Sequence, residues 1–598
     1  METVKGIAWL SMDDDAPIIS EKFGVYVCTY VSADRMMKDI RTAKRLRPGA
    51  LRYDPGWGFG NDTLHNSPRE LDSPQITEED GQIIIRWRGM EHLMQGLQES
   101  RIAPFCVHAY NPIPLQAADA AIQNANPTLD MRSAWNTMPA DLDAWAWINE
   151  QYARRWSTLG FSALRYELWN EPDLQPVFFT GSVQEYCLIY QYGAAGVKRG
   201  DMSARVGGPA ISSSRDWAKT FLDFVSQNDM PLDFFSYHVY GSPEHMVEDM
   251  RALLGKYPWM RTKEVLITEY NVFVPATPDF TQFGSIEGMR CASLLLHTFR
   301  YYLAQHDIHQ VFWAQLQDPE VYGQGVDRCG LLSLDGLPKP AFFAWELFAR
   351  MPSRRRKLTL DDASLEGMAA ADEHTASILL WNLSDQEKNF ALALSGVPFK
   401  VRRSEVAALR EGTAGGVLCA LETEHGASMP EVWCGRIRPY GVVQLFCQDH
   451  EDVSRVDPFQ VMRMDRYTHQ PWTTMYAEYD RRAQVVYLGA GERPEGMACI
   501  AITPAGEQGS IALRVEEDSL GDEACLAIYA DRAGERTCYF WGGQPSADLP
   551  WDTAPASARM IPCQSPSVSI AAFDRISFLL ADAPAGGRAR IFLLPVNA

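Results

Sequence analysis

Leu164-Arg165-Tyr166-Glu167-Leu168-Trp169-Asn170-Glu171-Pro172 reads as a short buried strand that stops on a proline. Leu164, Tyr166 and Leu168 are its apolar positions. Proline has no N–H to give a ladder and pushes the residue before it out of the helical region. The strand therefore ends on Asn170 and Glu171, an amide and a carboxyl presented together. In a parallel α/β barrel the C-terminal edge of a strand is where chemistry is done. A second run, Glu264-Val265-Leu266-Ile267-Thr268-Glu269-Tyr270-Asn271, also carries a carboxyl at its end, Glu269. Two carboxyls on the tips of two buried strands point to one shared site.

Working outward, strand-like and helix-like segments alternate. Strands are expected at Phe23 to Val27, Ala50 to Asp54, Ala103 to His108, Leu164 to Trp169, Ala204 to Gly207, Asp233 to His238, Val265 to Glu269 and Gln310 to Gln315. Helices are expected from Ser32 through Met36, Ile40 and Ala43, around Arg88 to Ser100, and from Asp141 with Trp145, Ile148, Tyr152 and Trp156 on one face. Others are expected at Asp216 to Ser226, Pro243 to Leu254, Ser285 to Ala304 and Lys339 to Arg350. Repeating units of about 30–40 residues describe a closed (β/α)8 TIM barrel better than an open sheet. An open nucleotide-binding sheet also wants a glycine-rich turn after a strand, and Gly323-Gln324-Gly325 lacks that setting.

Beyond residue 350 the period changes to two. Ser377 to Trp381, Asn389 to Leu394, Val417 to Leu421 and Gly441 to Phe446 read as short strands. A second group follows near Ile511 to Val515, Ala524 to Tyr529, Arg575 to Leu580 and Arg590 to Leu594. The expected organisation is α/β, a TIM barrel over 20–350 followed by two β-sandwich domains, 351–455 and 456–598. Residues 1–19 form a leader or a strand of the first sandwich. The last domain would be a carbohydrate-binding or interaction module, with Trp541 and Trp551 able to grip sugar or to pack between domains.

The chain has 598 residues and a formal net charge of −21, with 46% hydrophobic and 22% charged residues, the balance of a globular protein. Binding to nucleic acid or anionic membrane rests on clustered Lys and Arg. The one dense basic cluster, Arg354-Arg355-Arg356-Lys357, reads as a solvated linker. Asp13-Asp14-Asp15 stands where a signal peptide needs its apolar core, and no run is long and apolar enough to span a bilayer. The 12 cysteines are scattered singly and read as buried thiols in a reducing cytoplasm. No H-E-x-x-H, cysteine cluster or G-x-S-x-G occurs, so neither metal, other cofactor nor serine nucleophile is expected.

Glu171 and Glu269 are 98 positions apart, three barrel units, which puts them on the same rim. Paired carboxyls across a barrel mouth suit glycoside hydrolysis: one protonates the departing oxygen, the other attacks the anomeric carbon or activates water. Asn170 is placed to bond the sugar 2-hydroxyl. Arg52, at the end of strand two, is placed to hold Glu269 ionised; the alternative is a structural pair with Asp54 or another barrel carboxyl. His108, at the tip of strand three, is a candidate site residue or a histidine satisfied in the core. Glu167, inside its strand, and Glu264, at the strand's start, read as structural charges that need partners. A long loop, about Tyr110 to Pro139, reads as functional.

Trp-Asn-Glu-Pro after strand four, Thr-Glu-Tyr-Asn after strand seven and His238-Val239-Tyr240 after strand six resemble clan A glycoside hydrolases, family 39 in particular. Trp313 ending strand eight, Gly330-Leu331-Leu332, Lys339-Pro340-Ala341 and a trailing sandwich ending in Arg438-Pro439-Tyr440-Gly441-Val442-Val443 are similar too. The resemblance, over roughly residues 20–450, implies a retaining double displacement with Glu171 as acid/base and Glu269 as nucleophile. It implies His238 and Tyr240 around the nucleophile and Trp313 as the floor of the sugar subsite, the alternative for Trp313 being barrel core. The family includes β-xylosidases and α-iduronidases. Departures lie at Val107-His108-Ala109-Tyr110-Asn111-Pro112 and Arg52-Tyr53-Asp54, both lining the sugar site.

The expectation is a cytoplasmic, exo-acting, β-xylosidase-like enzyme on short oligosaccharides, with no nucleic-acid or membrane partner and a lean towards a homo-oligomer. Rival readings are an α-L-arabinosidase, β-galactosidase, β-glucosidase or iduronidase-like specificity, or a sugar-binding protein on an inactive barrel.

Overall fold

The computed structural model describes residues 3–14, 17–28, 40, 42–54, 75–116, 135–272, 288–318, 320–321, 325–326, 329–332, 338–411, 419–426, 428–449, 459–463, 475–480, 484–490, 497–504, 510–533, 535–543, 558–584 and 586–595. Most of the helix expected from Ser32, residues 117–134 of the long loop, and Trp551 lie outside them. The chain divides into two compact units: one of 19–278 and 298–331, the other of 1–18, 279–297 and 332–598.

The first unit is a closed barrel of parallel strands. Strands one to eight are Phe23–Cys28, Ala50–Asp54, Ala103–His108, Arg165–Leu168, Arg205–Ile211, Phe234–Tyr240, Glu264–Asn271 and Gln310–Ala314. Each pairs with its neighbour in sequence order, and strand eight closes on strand one. Among the connecting helices, Arg88–Ser100, Leu142–Thr158, Arg215–Gln227 and Pro243–Leu254 stand where the apolar spacing places them. Helix Met289–Leu303 packs through Phe299, stacked 3.8 Å from Phe23 on strand one. Asp141 caps its helix by accepting from the Ala144 N–H at 2.9 Å.

Helix Val183–Gly200 is absent from the expectation, although its start is written in the chain. Ser182 and Glu185 form a capping box, each side chain satisfying the other's backbone N–H. A small hairpin, Ile76–Glu79 with Gln82–Ile85, occupies what reads as a polar connection.

The barrel interior is layered. At the N-terminal end Arg165 and Arg205 both donate to Glu264, at 3.1 and 2.8 Å. Burial works against an ionised Glu264, but the two arginines outweigh it and hold its carboxyl below the usual range. Above lies an aromatic layer in which Phe105 packs against Phe234 and Phe312, centroids 5.5 and 5.0 Å apart. Gly24 makes room for it: a Cβ there would stand 2.6 Å from the Phe312 ring. Arg52 and Glu167 come next, fully buried, and the C-terminal mouth is above them.

In the second unit, strand Thr3–Asp13 lies inside a nine-stranded sheet, antiparallel to Arg355–Leu360 and parallel to Lys388–Ser395. The sheet's strands share one core that includes Val4, Leu10, Ile378, Leu380, Phe390 and Trp433. Arg354 to Lys357 is therefore no solvated linker. Arg355 and Arg356 are buried in a strand; Arg355 pairs with Asp14, and Arg356 pairs with Asp13 and donates to the Ala371 carbonyl at 2.9 Å. Farther on, a six-stranded and a five-stranded sheet face each other across a core that includes Ile500, Leu513, Ile528, Phe578 and Ile591. Trp541 packs on that core and donates to the Ser565 carbonyl at 3.1 Å. Cys106, Cys187, Cys291, Cys447, Cys525 and Cys538 are buried thiols, whereas Cys434 is exposed.

Candidate active site

Side-chain parity decides which strand residues reach the mouth. On strand two Arg52 faces the axis, Tyr53 turns out to the Met94 sulfur on helix Arg88–Ser100, and Asp54 faces the axis again, one layer higher. On strand seven a plain alternation from Glu264 and Leu266 would send Thr268 inward and Glu269 out. The pairing with strand six slips there instead: Ile267 lies opposite Tyr237, but Glu269 lies opposite His238. Thr268 is the extra residue of a β-bulge, and the bulge turns Glu269 to the axis. Strand five slips likewise between Pro209 and Ile211, with Ala210 at φ 52°. The freed Ala210 carbonyl accepts the Glu171 N–H at 3.0 Å. Trp169 and Glu171 have φ of 77° and 45°, a left-handed backbone uncommon outside glycine.

These elements bring six of the expected residues together. Arg52 donates from Nη1 to Glu269 Oε1 at 2.8 Å, from Nη2 to Asn170 Oδ1 at 2.6 Å and from Nε to Glu167 Oε2 at 2.7 Å. Tyr240 donates its hydroxyl to Glu269 Oε2 at 2.6 Å. His238 Nδ1 stands 2.8 Å from Glu171 Oε1 and 3.6 Å from Glu269 Oε2. One ligating atom from each of Glu171, His238 and Glu269 lies within 4.8 Å of the others.

The two carboxyls sit in different fields. Burial, reinforced by nearby Asp173 and only partly offset by Arg52, pushes Glu171 up to about 8, so it holds a proton at neutral pH. Glu269 has a guanidinium donating to one oxygen and a phenol to the other. Burial also lowers His238 below the usual imidazole range, giving a neutral ring beside a neutral acid. Two carboxylates and an imidazole this close resemble a metal-ligand set. Here their atoms are taken up by Arg52, Tyr240 and one another, with a fixed cation already among them, so the cluster does not fit a metal centre.

Two expected residues are elsewhere. His108 faces outward, as its paired neighbour Leu168 does; its Nδ1 is 2.7 Å from Asn149 Oδ1 on helix Leu142–Thr158, and burial lowers it to about 4. It is the core histidine of the two alternatives. Trp313 also faces outward, because Phe312 before it faces the axis; it packs edge-on to Tyr270, 2% exposed. Ala314, opposite Tyr26, is the axis-facing residue at the tip of strand eight, so Trp313 is no floor for a sugar.

Three site residues escape the sequence reading. Tyr26 lies with its ring 4.5 Å from the Arg52 guanidinium and donates to Asp54 Oδ2 at 3.3 Å. Tyr110 accepts from Asn170 Nδ2 at 3.0 Å. Glu167 is the buried partner of Arg52. Glu167 carried a signal, a charge inside a buried strand, and Tyr110 stands in the run Val107 to Pro112 that reads as lining the sugar site; Tyr26 carried none.

A parallel barrel whose mouth brings together two carboxyls, one of them raised to about 8, suits a glycoside hydrolase, and the comparisons agree. Residues 81–257 match the model for glycosyl hydrolases family 39. A β-xylosidase from Caldicellulosiruptor saccharolyticus is 24% identical over 350 residues, 54% of this chain and 69% of that protein. The structure of a GH39 enzyme from Xanthomonas axonopodis pv. citri is similar at a TM-score of 0.58 and 18% identity, over 75% of this chain and 97% of that one. A bacterial orthologue of human α-L-iduronidase shares the fold over 99% of this chain and 97% of its own, TM-score 0.56, at 12% identity. The chain is a glycoside hydrolase, similar to those of family 39.

Proposed function

We propose that the enzyme is a retaining exo-glycosidase of the xylosidase-like kind, working by double displacement. The observation that carries this reading is the approach of Glu171 and Glu269, with atoms of both inside 4.8 Å. Retaining enzymes hold their carboxyls about 5–5.5 Å apart, whereas inverting ones need about 6.5–9.5 Å to admit a water. Ionised Glu269 attacks the anomeric carbon while Glu171 gives its proton to the leaving oxygen. Glu171, now a carboxylate, then takes a proton from the water that releases the sugar. Asn170, fixed between Arg52 and Tyr110, is presented to the sugar 2-hydroxyl.

A broader sugar specificity than xylose is favoured by strand eight, whose axis-facing tip is the methyl of Ala314 rather than an aromatic ring. A cytoplasmic place and short oligosaccharide substrates accord with the buried thiols. Among the described residues no helix is long and apolar enough to cross a membrane.

A panel of nitrophenyl glycosides tests the specificity, and a 2-deoxy-2-fluoro glycoside of the best sugar tests the mechanism. The expected result is a covalent adduct on Glu269, with turnover of Glu269→Ala falling by roughly 10⁴-fold or more while sugar affinity persists. Inversion at the anomeric carbon, or full activity without Glu269, would overturn the reading. A chain that binds sugars and turns over none would be the sugar-binding protein instead.

A further inference from the structure

Resting on Glu269 as nucleophile, we infer that Glu167 is a positioning residue: it aims the Arg52 guanidinium at Glu269 and Asn170 and offsets its charge. Glu167 lies two residues below Trp169 on strand four, on the barrel axis, with its side chain fully buried like that of Arg52. It takes the Nε edge of the guanidinium at 2.7 Å. A planar guanidinium held at Nε has its remaining nitrogens fixed in direction, and these are the ones on Glu269 and Asn170. Tyr26 covers the guanidinium's face. The other oxygen of Glu167, Oε1, finds no partner among the described residues, so this carboxylate is committed to Arg52 alone.

Charge arithmetic gives the arrangement a purpose. The transition state of glycosyl transfer is oxocarbenium-like, with positive charge growing on the sugar. A bare guanidinium beside it, out of water, would oppose that charge and also draw electron density from the attacking carboxylate. With Glu167 in place, Arg52 and Glu167 are neutral together. The ionised Glu269 then faces the growing charge uncancelled. The other titratable groups around this cluster are Asp54, Tyr26 and Tyr110 from the neighbouring strands, Glu171 and Asp173 above, His238 and Tyr240 on strand six, and Tyr186 on helix Val183–Gly200. None of them touches the Nε edge.

The test is the pH profile of kcat/KM for Glu167→Gln, which keeps the shape and removes the charge. Arg52, no longer balanced, then favours the ionised form of both catalytic carboxyls. Both limbs of the bell move to lower pH by roughly half a unit to one unit, and kcat falls roughly 10- to 100-fold. Glu167→Asp keeps the charge and draws it back by one methylene; its limbs stay at the wild-type pH while kcat falls. Unmoved limbs in Glu167→Gln, with or without a fall in kcat, would overturn the inference. So would an aspartate variant as fast as wild type, which also decides the matter if the glutamine variant does not fold. Glu269→Ala runs in parallel: turnover surviving that change would defeat the nucleophile assignment, separately from anything Glu167 does.

Discussion

Glu171 is the residue on which pH acts most directly. Its carboxyl is raised to about 8, mainly by burial. The enzyme should therefore lose kcat/KM above about pH 8 with the slope of one proton. That limb should vanish with a dinitrophenyl glycoside, whose leaving group departs unaided; a limb that persists would place the titration elsewhere. A carboxyl with a raised folded value stabilises the fold below its unfolded value, and that contribution fades as pH rises through the folded value. Glu171→Gln should accordingly melt with wild type at pH 4 and above it at pH 9, by on the order of 5 kcal/mol for a rise from the ordinary 4.5 to about 8. His238, lowered by burial, works on the other side: native stability drops as pH falls below the free-imidazole range.

What was legible at this scale was position along a strand. Glu171, Asn170, Arg52, His238, Tyr240 and Glu269 all stand at strand tips and all meet at the mouth. His108 and Trp313 stand at tips too, yet face the helices. A tip is visible in the sequence; the face a side chain takes depends on pairing, which is not.

The elements explain why pairing matters. On strand seven one inserted residue, Thr268, reverses the parity of everything after it. Deleting Thr268 should remove the bulge yet leave Glu269 on the axis, because Glu269 would then follow Ile267 in plain alternation, and turnover should survive; a variant folded by circular dichroism with no turnover would show that the bulge does more than set the face of Glu269. Asp173 is the other element-scale device. It accepts the N–H groups of Ser212, Ser213 and Ser214 at 2.8–3.0 Å, tying the loop after strand four to the start of helix Arg215–Gln227, and its charge helps raise Glu171. Asp173→Asn should shift the alkaline limb to lower pH and cost roughly 1–3 kcal/mol of stability, read from the two curves together. Neither feature has a sequence signature, since a bulge looks like any strand residue. The capping box at Ser182 and Glu185 does have one, and could have located its helix.

Across the whole molecule, chemistry and stability occupy opposite ends of the barrel. Glu264 at the N-terminal end holds two arginines; Glu264→Ala should lower stability by roughly 1–3 kcal/mol in urea unfolding while leaving kcat/KM within twofold. A loss of catalysis there would show the two ends to be coupled. The eightfold alternation of strand and helix made the barrel readable from end to end. The sheet of the second unit was less so, because its strands do not follow chain order: Thr3–Asp13 sits among strands that begin beyond residue 350.

That last arrangement has a consequence for synthesis. Once synthesised, strand Thr3–Asp13 finds its neighbours only after roughly 350 further residues, which at 5–20 residues per second means about 20–70 s of waiting. Meanwhile Val4, Ala8 and Leu10, all destined for the core, travel without cover. Newborn chains of this enzyme should thus depend on chaperone capture of this strand, and slowing translation should lower the yield of native protein rather than raise it.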